Sequence, residues 1–386
     1  MKLLLYDMGA YTQNDIMDTL NSMNIPYKNV LYRLDNVYND IYFEKRMKEF
    51  LEQDKYDAVF SVNYWPVLSD ICYSYSIPYL SWSYDSPIQI ENIEETLGYS
   101  TNYVFFFDRT ECEKYWKKGY TNIYHLPLAV NTKRLDQINI TERDRKKYST
   151  QISMVGQLYK TGVSTYMMPL KDYENGYLSG IIEAQIRLYG SYILDEVVTE
   201  NLIDRMNSIY TAMGAKSPLL KRKNFIIELA KHITNLERSL ILDVLSSEYQ
   251  VDLYGLSKSE NLKKVKCRGS AGYFDEMPKV FKLSDINLNI SLKCIQSGIP
   301  LRALDIIGCC GFLISNYQPE LAEYFIDGEE VVIYTDMEDA VAKCQYYIEH
   351  EKERKKIAQK GYEKVKELFN YEDRLLFMLQ NAGLLS

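Results

Sequence analysis

The amino-acid sequence predicts an α/β protein built from two doubly wound, Rossmann-like domains. The chain has 386 residues, of which 46% are hydrophobic, and this is enough apolar material for more than one core. Short runs of β-forming residues alternate with amphipathic stretches over the first 130 residues, and the same alternation restarts near residue 151. Alternation of this kind indicates crossover connections and mainly parallel sheets that are covered on both faces.

Six strand candidates lie in the first part of the chain, separated by stretches with apolar residues at helical spacing. The strand candidates are LLLYD (3–7), NVLYRL (29–34), AVFSVN (58–63), PYLSWSYD (78–85), YVFFF (103–107) and NIYHLPL (122–128). Helices are predicted at 14–24, 42–53 and 110–118. We assign residues 1–130 to the first domain and the polar stretch 131–150, which has almost no core-forming pattern, to a linker.

Residues 151–365 are predicted to form the second domain. Its strand candidates are QISMVGQL (151–158), VDLYGL (251–256), VKCRG (265–269), INLNIS (286–291), GFLIS (311–315) and EVVIY (330–334), with helices at 299–309, 318–325 and 337–349. A long helix-like region between the first two strands predicts a helical insert at about 165–247. One apolar face of this insert is predicted to carry Phe225, Ile226, Leu229, Ala230, Ile233, Leu240, Ile241 and Val244.

Charge and apolar patterning exclude several classes of function. The net charge is −8 and no long basic run is present, so nucleic acid is not expected as a main partner. No apolar stretch reaches 18 residues, so no integral membrane segment is expected. The opening segment meets Asp7 too early for a signal peptide, and seven scattered cysteines, an odd number, favour reduced thiols. A cytoplasmic location is therefore expected.

The sequence also lacks the motifs of several common catalytic centres. Only three histidines are present, without HExxH or CxxC, so a catalytic metal is not expected. There is no GxSxG elbow, Walker loop or GxGxxG motif. Hydrolases, P-loop NTPases and ordinary dehydrogenases are therefore disfavoured.

Two long segments of the second domain carry a family resemblance. The stretch INLNISLKCIQSGIPLRALDIIGCCGFLISNYQPELAEYF (286–325), followed by 329–365, resembles the C-terminal domain of GT-B glycosyltransferases, most closely the CgeB-like branch of the spore-maturation type. SVNYWPVLSDICYSYSIPYLSWSYDSP (61–87) resembles the N-terminal domain that accompanies it, whereas the insert shows no resemblance.

The resemblance implies two Rossmann-like domains that face each other across a cleft. A nucleotide-sugar donor is then held mainly by the C-terminal domain and an acceptor mainly by the N-terminal one. The resemblance also implies that no metal or other cofactor is needed besides the donor substrate, and that the final segment, 366–386, packs back on the first domain.

Candidate donor residues follow strands of the second domain, because ligands of such sheets bind outside the carboxyl ends of the strands. Pro300 sets a helix start, so the free backbone N–H groups around it favour a diphosphate. For the remaining residues, ordinary turn chemistry is an equal alternative to ligand binding. The candidates are Gly156, Tyr254, Gly255, Asn289, Ser291, Ser297, Gly298 and Ile299.

Arg302 and Asp305 lie three residues apart and therefore share one helix face. Arg302 is a cation in the first turn, where the helix dipole disfavours it unless an anion binds there as well. It is therefore a candidate catalytic contact to the leaving diphosphate. An ion pair with Asp305 is the alternative. By resemblance, Asp305 stands where many GT-B enzymes carry a Glu that binds ribose hydroxyls.

The candidate acceptor residues are Gly9, Asn63, Trp65, Trp82 and Asp85. Asn63 and Asp85 each end a predicted strand, so both are expected at the carboxyl edge of the first sheet. Asp85 is the candidate catalytic base or acceptor-orienting group, with an N-cap or Asx-turn as the alternative. The two tryptophans are candidates for stacking on a sugar, with aromatic core as the alternative. Gly9 is chosen by position alone.

The function predicted is transfer of a hexose-type sugar from a nucleotide-diphosphate donor to a hydroxyl of a glycan, protein or small molecule. Two alternatives remain open. One is a non-catalytic nucleotide-sugar-binding or protein-binding scaffold, with the insert as its protein contact. The other is a sugar-nucleotide epimerase, although such an enzyme should use carboxylates and histidines more densely than this chain does.

Overall fold

The computed structural model describes residues 1–214, 219–256 and 262–385. The chain forms two compact units, unit 1 from Met1–Arg134 with Lys364–Ser386 and unit 2 from Leu135–Glu363. Residues 215–218 of the predicted insert and residue 386 of the predicted final segment lie outside the described residues.

Unit 1 is built on one parallel sheet. Its elements up to the boundary are β1 (Leu3–Asp7), α1 (Gln13–Ser22), β2 (Tyr27–Leu31), α2 (Ile41–Gln53), β3 (Ala58–Val62), α3 (Pro66–Ser74), β4 (Tyr79–Ser83), α4 (Glu94–Leu97), β5 (Asn102–Phe106), α5 (Arg109–Trp116), β6 (Ile123–His125) and α6 (Thr132–Asp136). The sheet has the order β2-β1-β3-β4-β5-β6. Every residue of β1, β3 and β4 is buried, as expected for parallel strands with both faces covered.

Unit 2 contains a second parallel sheet and a set of additional helices. Its elements are α7 (Glu142–Tyr148), β7 (Thr150–Val155), α8 (Val163–Met167), α9 (Asp172–Arg187), α10 (Leu194–Val197), α11 (Glu200–Ala212), α12 (Arg222–Ser246), β8 (Val251–Tyr254), β9 (Lys266–Gly269), α13 (Met277–Leu283), β10 (Ser284–Asn289), α14 (Leu301–Gly308), β11 (Leu313–Asn316), α15 (Pro319–Tyr324), β12 (Val332–Tyr334), α16 (Met337–Glu349) and α17 (Glu351–Leu368), whose last turn belongs to unit 1. The sheet has the order β12-β11-β10-β7-β8-β9.

The last helix, α18 (Tyr371–Asn381), belongs to unit 1. It lies against α1 and β5, with the ring of Phe377 edge-on to Phe105 at 6.2 Å between centroids. The Arg374 guanidinium donates from Nε to Pro127 O at 2.8 Å. The end of the chain therefore completes the core of the unit that its beginning forms.

The strand order reverses once in each sheet. In unit 1, β1 lies between β2 and β3, and in unit 2, β7 lies between β8 and β10. Such a reversal leaves a crevice at the carboxyl ends of the two strands where the direction of winding changes. The predicted doubly wound class is confirmed, and every predicted strand overlaps a strand of the structure.

Helix α12 corrects part of the predicted insert face. Its first half packs in a core formed by the additional helices, and its second half packs on the sheet through Ile241, Leu242 and Leu245. Leu240 is 47% exposed and Val244 is 44% exposed, so these two assignments are wrong. The buried stripe passes instead through charged residues at 237 and 238, which a search for apolar spacing cannot detect.

The segment interpreted as a linker, 131–150, is largely helical. It contains the whole of α6 and α7. Thr141 caps α7 in a capping box with Asp144, and Tyr148 at its end is buried. Local capping and one buried aromatic residue therefore order a segment that lacks a longer apolar pattern.

We predict that Gly361→Ala destabilises unit 2. A Cβ at Gly361 in α17 would lie 2.3 Å from Glu330 O and 3.2 Å from Ile307 Cγ2, so the helix must move away. Overpacking of this kind costs roughly 1–3 kcal/mol, measurable as a lower midpoint of urea unfolding. The control is Gly180→Ala in α9, where nothing lies within 4 Å and alanine should add about 1 kcal/mol. Equal midpoints for the wild type and Gly361→Ala would contradict this packing.

Candidate functional site

Two glycines follow neighbouring strands at the carboxyl edge of the sheet in unit 2. Gly156 comes directly after β7 and Gly255 directly after β8, and Gly156 N donates to Tyr254 O at 2.9 Å. A Cβ atom on Gly255 would lie 2.4 Å from Gly156 O, so no side chain fits there without a backbone shift. The structure therefore brings the predicted residues Gly156, Tyr254 and Gly255 together.

The side chain of Tyr254 is buried at this edge. Burial raises the pKa of its phenol to about 12, so the group is neutral at physiological pH. Its hydroxyl has no hydrogen-bond partner within the described residues. A buried polar group of this kind gains most from a ligand that pairs with it.

The predicted donor residues after β10 are tied into an internal network. The Asn289 side-chain amide donates to Ser291 Oγ at 3.1 Å and to Ser315 Oγ at 2.9 Å. Ser291 N donates to Asn316 Oδ1 at 2.7 Å. These bonds fix the carboxyl ends of β10 and β11 to each other, so Asn289 and Ser291 order the edge of the sheet.

The loop before α14 is buried and held by a carboxylate. Ser297 Oγ donates to Glu320 Oε1 at 2.7 Å, and Glu320 N donates back to Ser297 O at 3.1 Å. Gly298 and Ile299 are buried within the same loop. Pro300 is the N-cap residue, and α14 begins at Leu301, so the helix starts where the sequence predicts.

Arg302 and Asp305 form the ion pair that the sequence leaves as an alternative. The distance from Arg302 Nη1 to Asp305 Oδ2 is 3.2 Å, and Tyr273 donates from its hydroxyl to Asp305 Oδ1, also at 3.2 Å. The guanidinium also contacts Met277 Sδ and lies 5.9 Å from the ring centroid of Phe281. A contact from Arg302 to a diphosphate stays a prediction.

A buried ionic cluster at the same sheet was not predicted. Glu237 of α12 forms an ion pair with Lys293, with 2.9 Å between Oε2 and Nζ. Its Oε1 accepts from the hydroxyls of Tyr189 at 2.6 Å and Tyr334 at 3.3 Å. Burial, together with this carboxylate, raises the pKa of Tyr189, so its phenol remains a hydrogen-bond donor.

Lys293 belongs to the loop after β10 and lies 4.1 Å from the ring centroid of Tyr189. Both residues line a small polar cavity of about 20 Å³, which has room for a single water molecule. The sequence contained one signal for the cluster, because Glu237 stands four residues after Ile233 and four before Ile241, on the buried stripe of α12.

In unit 1, Asn63 and Asp85 meet at the ends of β3 and β4. The Asn63 side chain donates to Asp85 Oδ2 at 2.7 Å and accepts from Tyr84 N at 2.8 Å. Asn63 has a φ of +59°, which asparagine tolerates better than most residues. Asp85 is exposed. The structure therefore holds an exposed carboxylate beside an ordered amide.

Gly9 lies in the turn after β1, with a φ of +87° and its N–H donating to Asp7 Oδ1 at 2.8 Å. Because β1 and β3 are neighbours, Gly9 and Asn63 follow adjacent strands where the strand order of unit 1 reverses.

The two predicted stacking residues have different surroundings. Trp82 is 0% exposed and donates from Nε1 to Leu126 O at 3.3 Å, so the stacking assignment is wrong for this residue and it belongs to the core. Trp65 is partly buried, with its Nε1 donating to Val62 O at 2.9 Å and its ring edge-on to Tyr6. Trp82 is the fourth residue of a strand, β4, in which all five residues are buried, and this explains its position.

The described residues contain neither a metal-binding cluster nor a membrane-spanning helix. They contain no group of three or more His, Cys, Asp or Glu side chains placed to hold a metal ion. In the same described ranges, no helix is both long and apolar enough to cross a membrane.

Residues 233–380 match the model of a protein family described as glycosyl transferase-like. The matched segment includes Glu237, Lys293, Arg302 and Asp305, and thus most of the carboxyl-edge features of unit 2. A search of curated proteins found no relative that matches the chain.

Solved structures are similar over the whole chain. Sucrose-phosphate synthase from Thermosynechococcus elongatus has 12% identity and a TM-score of 0.58, over 99% of this chain and 98% of that one. HepE from Anabaena, in complex with UDP and glucose, has 9% identity and a TM-score of 0.53, over 99% and 100%. A UDP-forming trehalose-phosphate synthase from Burkholderia xenovorans has 12% identity and a TM-score of 0.52, over 99% of each chain. At such identities the likeness defines the fold, which is that of GT-B glycosyltransferases.

We predict that Glu237→Gln destabilises unit 2 by roughly 3–5 kcal/mol, because it leaves the Lys293 ammonium buried without its anion. Urea unfolding measures the loss. The double variant Glu237→Gln/Lys293→Met removes both charges and should recover much of it. A single variant as stable as the wild type, or a double variant less stable than the single one, would contradict the pairing.

Proposed function

We propose that the protein is a metal-independent glycosyltransferase that moves a hexose-type sugar from a nucleotide-diphosphate donor to a hydroxyl acceptor, and that it belongs to the CgeB-like branch. The main support is the carboxyl edge of unit 2. There the backbone at Gly156 and Gly255 packs closely, without side chains, beside Tyr254. Helix α14 begins at this edge, within the segment that matches the glycosyl transferase-like family.

The donor side of the reaction is assigned to unit 2. The similar HepE structures contain UDP with glucose and UDP-glucose, so a uridine nucleotide is the first donor to test. Backbone N–H groups at the start of α14 are available for phosphate oxygens. Arg302 in the first turn keeps further N–H donors besides the one that Asp305 accepts, and it stabilises the negative charge that develops on the leaving diphosphate.

The acceptor side is assigned to unit 1, with a glycan, protein or small molecule as acceptor. The acceptor oxygen attacks the anomeric carbon of the sugar, the bond from that carbon to the diphosphate oxygen breaks, and the nucleoside diphosphate leaves. The proton of the acceptor hydroxyl passes to Asp85, whose carboxylate is exposed and oriented by Asn63.

We expect one of UDP, GDP, ADP and TDP to raise the melting temperature of the wild type, because a ligand that binds only the folded state stabilises it. Arg302→Ala should abolish the shift. Arg187→Ala, which removes an arginine that is 72% exposed on α9, should keep it. Absence of a shift with all four nucleotides in the wild type would remove most of the support for a transferase.

We expect Asp85→Asn to lower turnover roughly 10²- to 10⁴-fold, because the amide cannot accept the acceptor proton. Release of nucleoside diphosphate from the matching sugar nucleotide, in the presence of an acceptor, measures turnover. Affinity for the nucleoside diphosphate should stay unchanged, since that ligand is assigned to unit 2. Asp18→Asn on the exposed side of α1 is the control. Wild-type turnover in Asp85→Asn would exclude Asp85 as the base.

A further inference from the structure

Arg238 of α12 reaches the carboxyl edge of the sheet in unit 2 and is 8% exposed. Its Nη1 donates to Gln157 O at 2.6 Å, just after β7, and its Nε donates to Ile290 O at 3.0 Å, just after β10. Nη2 donates to Ile290 O as well. The guanidinium lies 5.2 Å from the ring centroid of Tyr159, which covers it.

These two carbonyls mark the point where the strand order of the sheet reverses. Strands β7 and β10 are neighbours, and the chain winds outward from them in opposite directions. Ligands of doubly wound sheets bind at the carboxyl ends of such a pair. Arg238 therefore spans the place in unit 2 where the topology favours a ligand.

The charge of Arg238 is not balanced in the structure. Its three hydrogen bonds go to neutral carbonyls, and no carboxylate in the described parts of the chain lies within ion-pairing distance. The adjacent Glu237 carboxylate is paired with Lys293. A buried cation without an anion is costly, so buried arginines are normally paired.

Other ionic groups at this edge do not supply the missing anion. Arg302 is paired with Asp305, and Arg268 is paired with Asp252 at 2.7 Å. Each of these pairs is neutral, as is Glu237 with Lys293, so none of these three carboxylates is left to balance Arg238. A guanidinium has five N–H donors, and the three hydrogen bonds of Arg238 leave two of them for an anion.

We propose that Arg238 binds the diphosphate group of the donor at the carboxyl ends of β7 and β10, which rests on the proposed function. The planar fork of an arginine fits phosphate oxygens, and the phosphate supplies the missing counter-charge. Gly156 supports this position, because a Cβ there would lie 3.4 Å from Arg238 Nη1, in the space beside the guanidinium. The insert helix α12 is then part of the donor site.

Calorimetric titration of the full chain tests the proposal with UDP, GDP, ADP and TDP and with the four matching nucleosides. The ratio of the nucleoside Kd to the nucleoside-diphosphate Kd isolates the contribution of the phosphates. Arg238→Gln should lower this ratio roughly 10- to 100-fold and leave nucleoside affinity unchanged. The matched control is Arg222→Gln, because Arg222 is also on α12 and donates to the backbone carbonyls of Asp195 and Val198.

Arg238 also ties two loops together, so circular dichroism and thermal unfolding accompany each titration. If Arg238→Gln does not fold, Arg238→Lys replaces it, because lysine keeps the charge and loses the fork. This variant should lower the ratio roughly 3- to 10-fold. A folded variant with an unchanged ratio, or with equal losses for nucleoside and nucleoside diphosphate, would overturn the role of Arg238 while the proposed function stands. A wild type that binds none of the four nucleotides would overturn both.

Discussion

Parallel pairing of the strands determines where polar chemistry can lie in each unit. In a parallel sheet every strand points the same way, so each connection must cross the sheet through a helix, and both faces become covered. The strands then consist of buried residues, as β1, β3 and β4 show, and polar side chains collect where the strands end. Gly9, Asn63 and Asp85 in unit 1, and Gly156, Tyr254 and Gly255 in unit 2, all lie at such ends.

The same constraint explains which parts of the molecule the sequence predicts well. A strand that is buried on both faces is a short, nearly continuous apolar run, so AVFSV and YLSWS are visible without any knowledge of their neighbours. The glycines after β7 and β8 are also visible, because a turn at a strand end is a local feature. The reason that residue 255 is a glycine is visible only in the structure, because a Cβ atom added there would lie 2.4 Å from Gly156 O.

Features that depend on distant partners could not be predicted. Trp82 and Trp65 are both tryptophans, yet Trp82 is fully buried in the core and Trp65 is only partly buried. Their surroundings differ because their neighbours come from different elements. Glu237 is tolerated inside only because Lys293, Tyr189 and Tyr334 meet it from three separate segments. Helical periodicity assigned Leu240 and Val244 to the buried face because it considers only the polarity and spacing of the residues. It contains no information on contacts with residues far along the chain.

Charge differs between the two edges where the strand order reverses. In unit 1 the exposed Asp85 carboxylate follows β4 and is held by the Asn63 amide at the end of β3, whereas in unit 2 the guanidinium of Arg238 contacts the carbonyls after β7 and β10. The proposed reaction fits this division, because a proton leaves the acceptor while negative charge grows on the departing diphosphate. A carboxylate can accept the proton but repels the diphosphate. An arginine attracts the diphosphate but cannot accept the proton. The charged side chains that reach the carboxyl ends of the two sheets therefore differ, which favours binding of different substrates over duplication of one site.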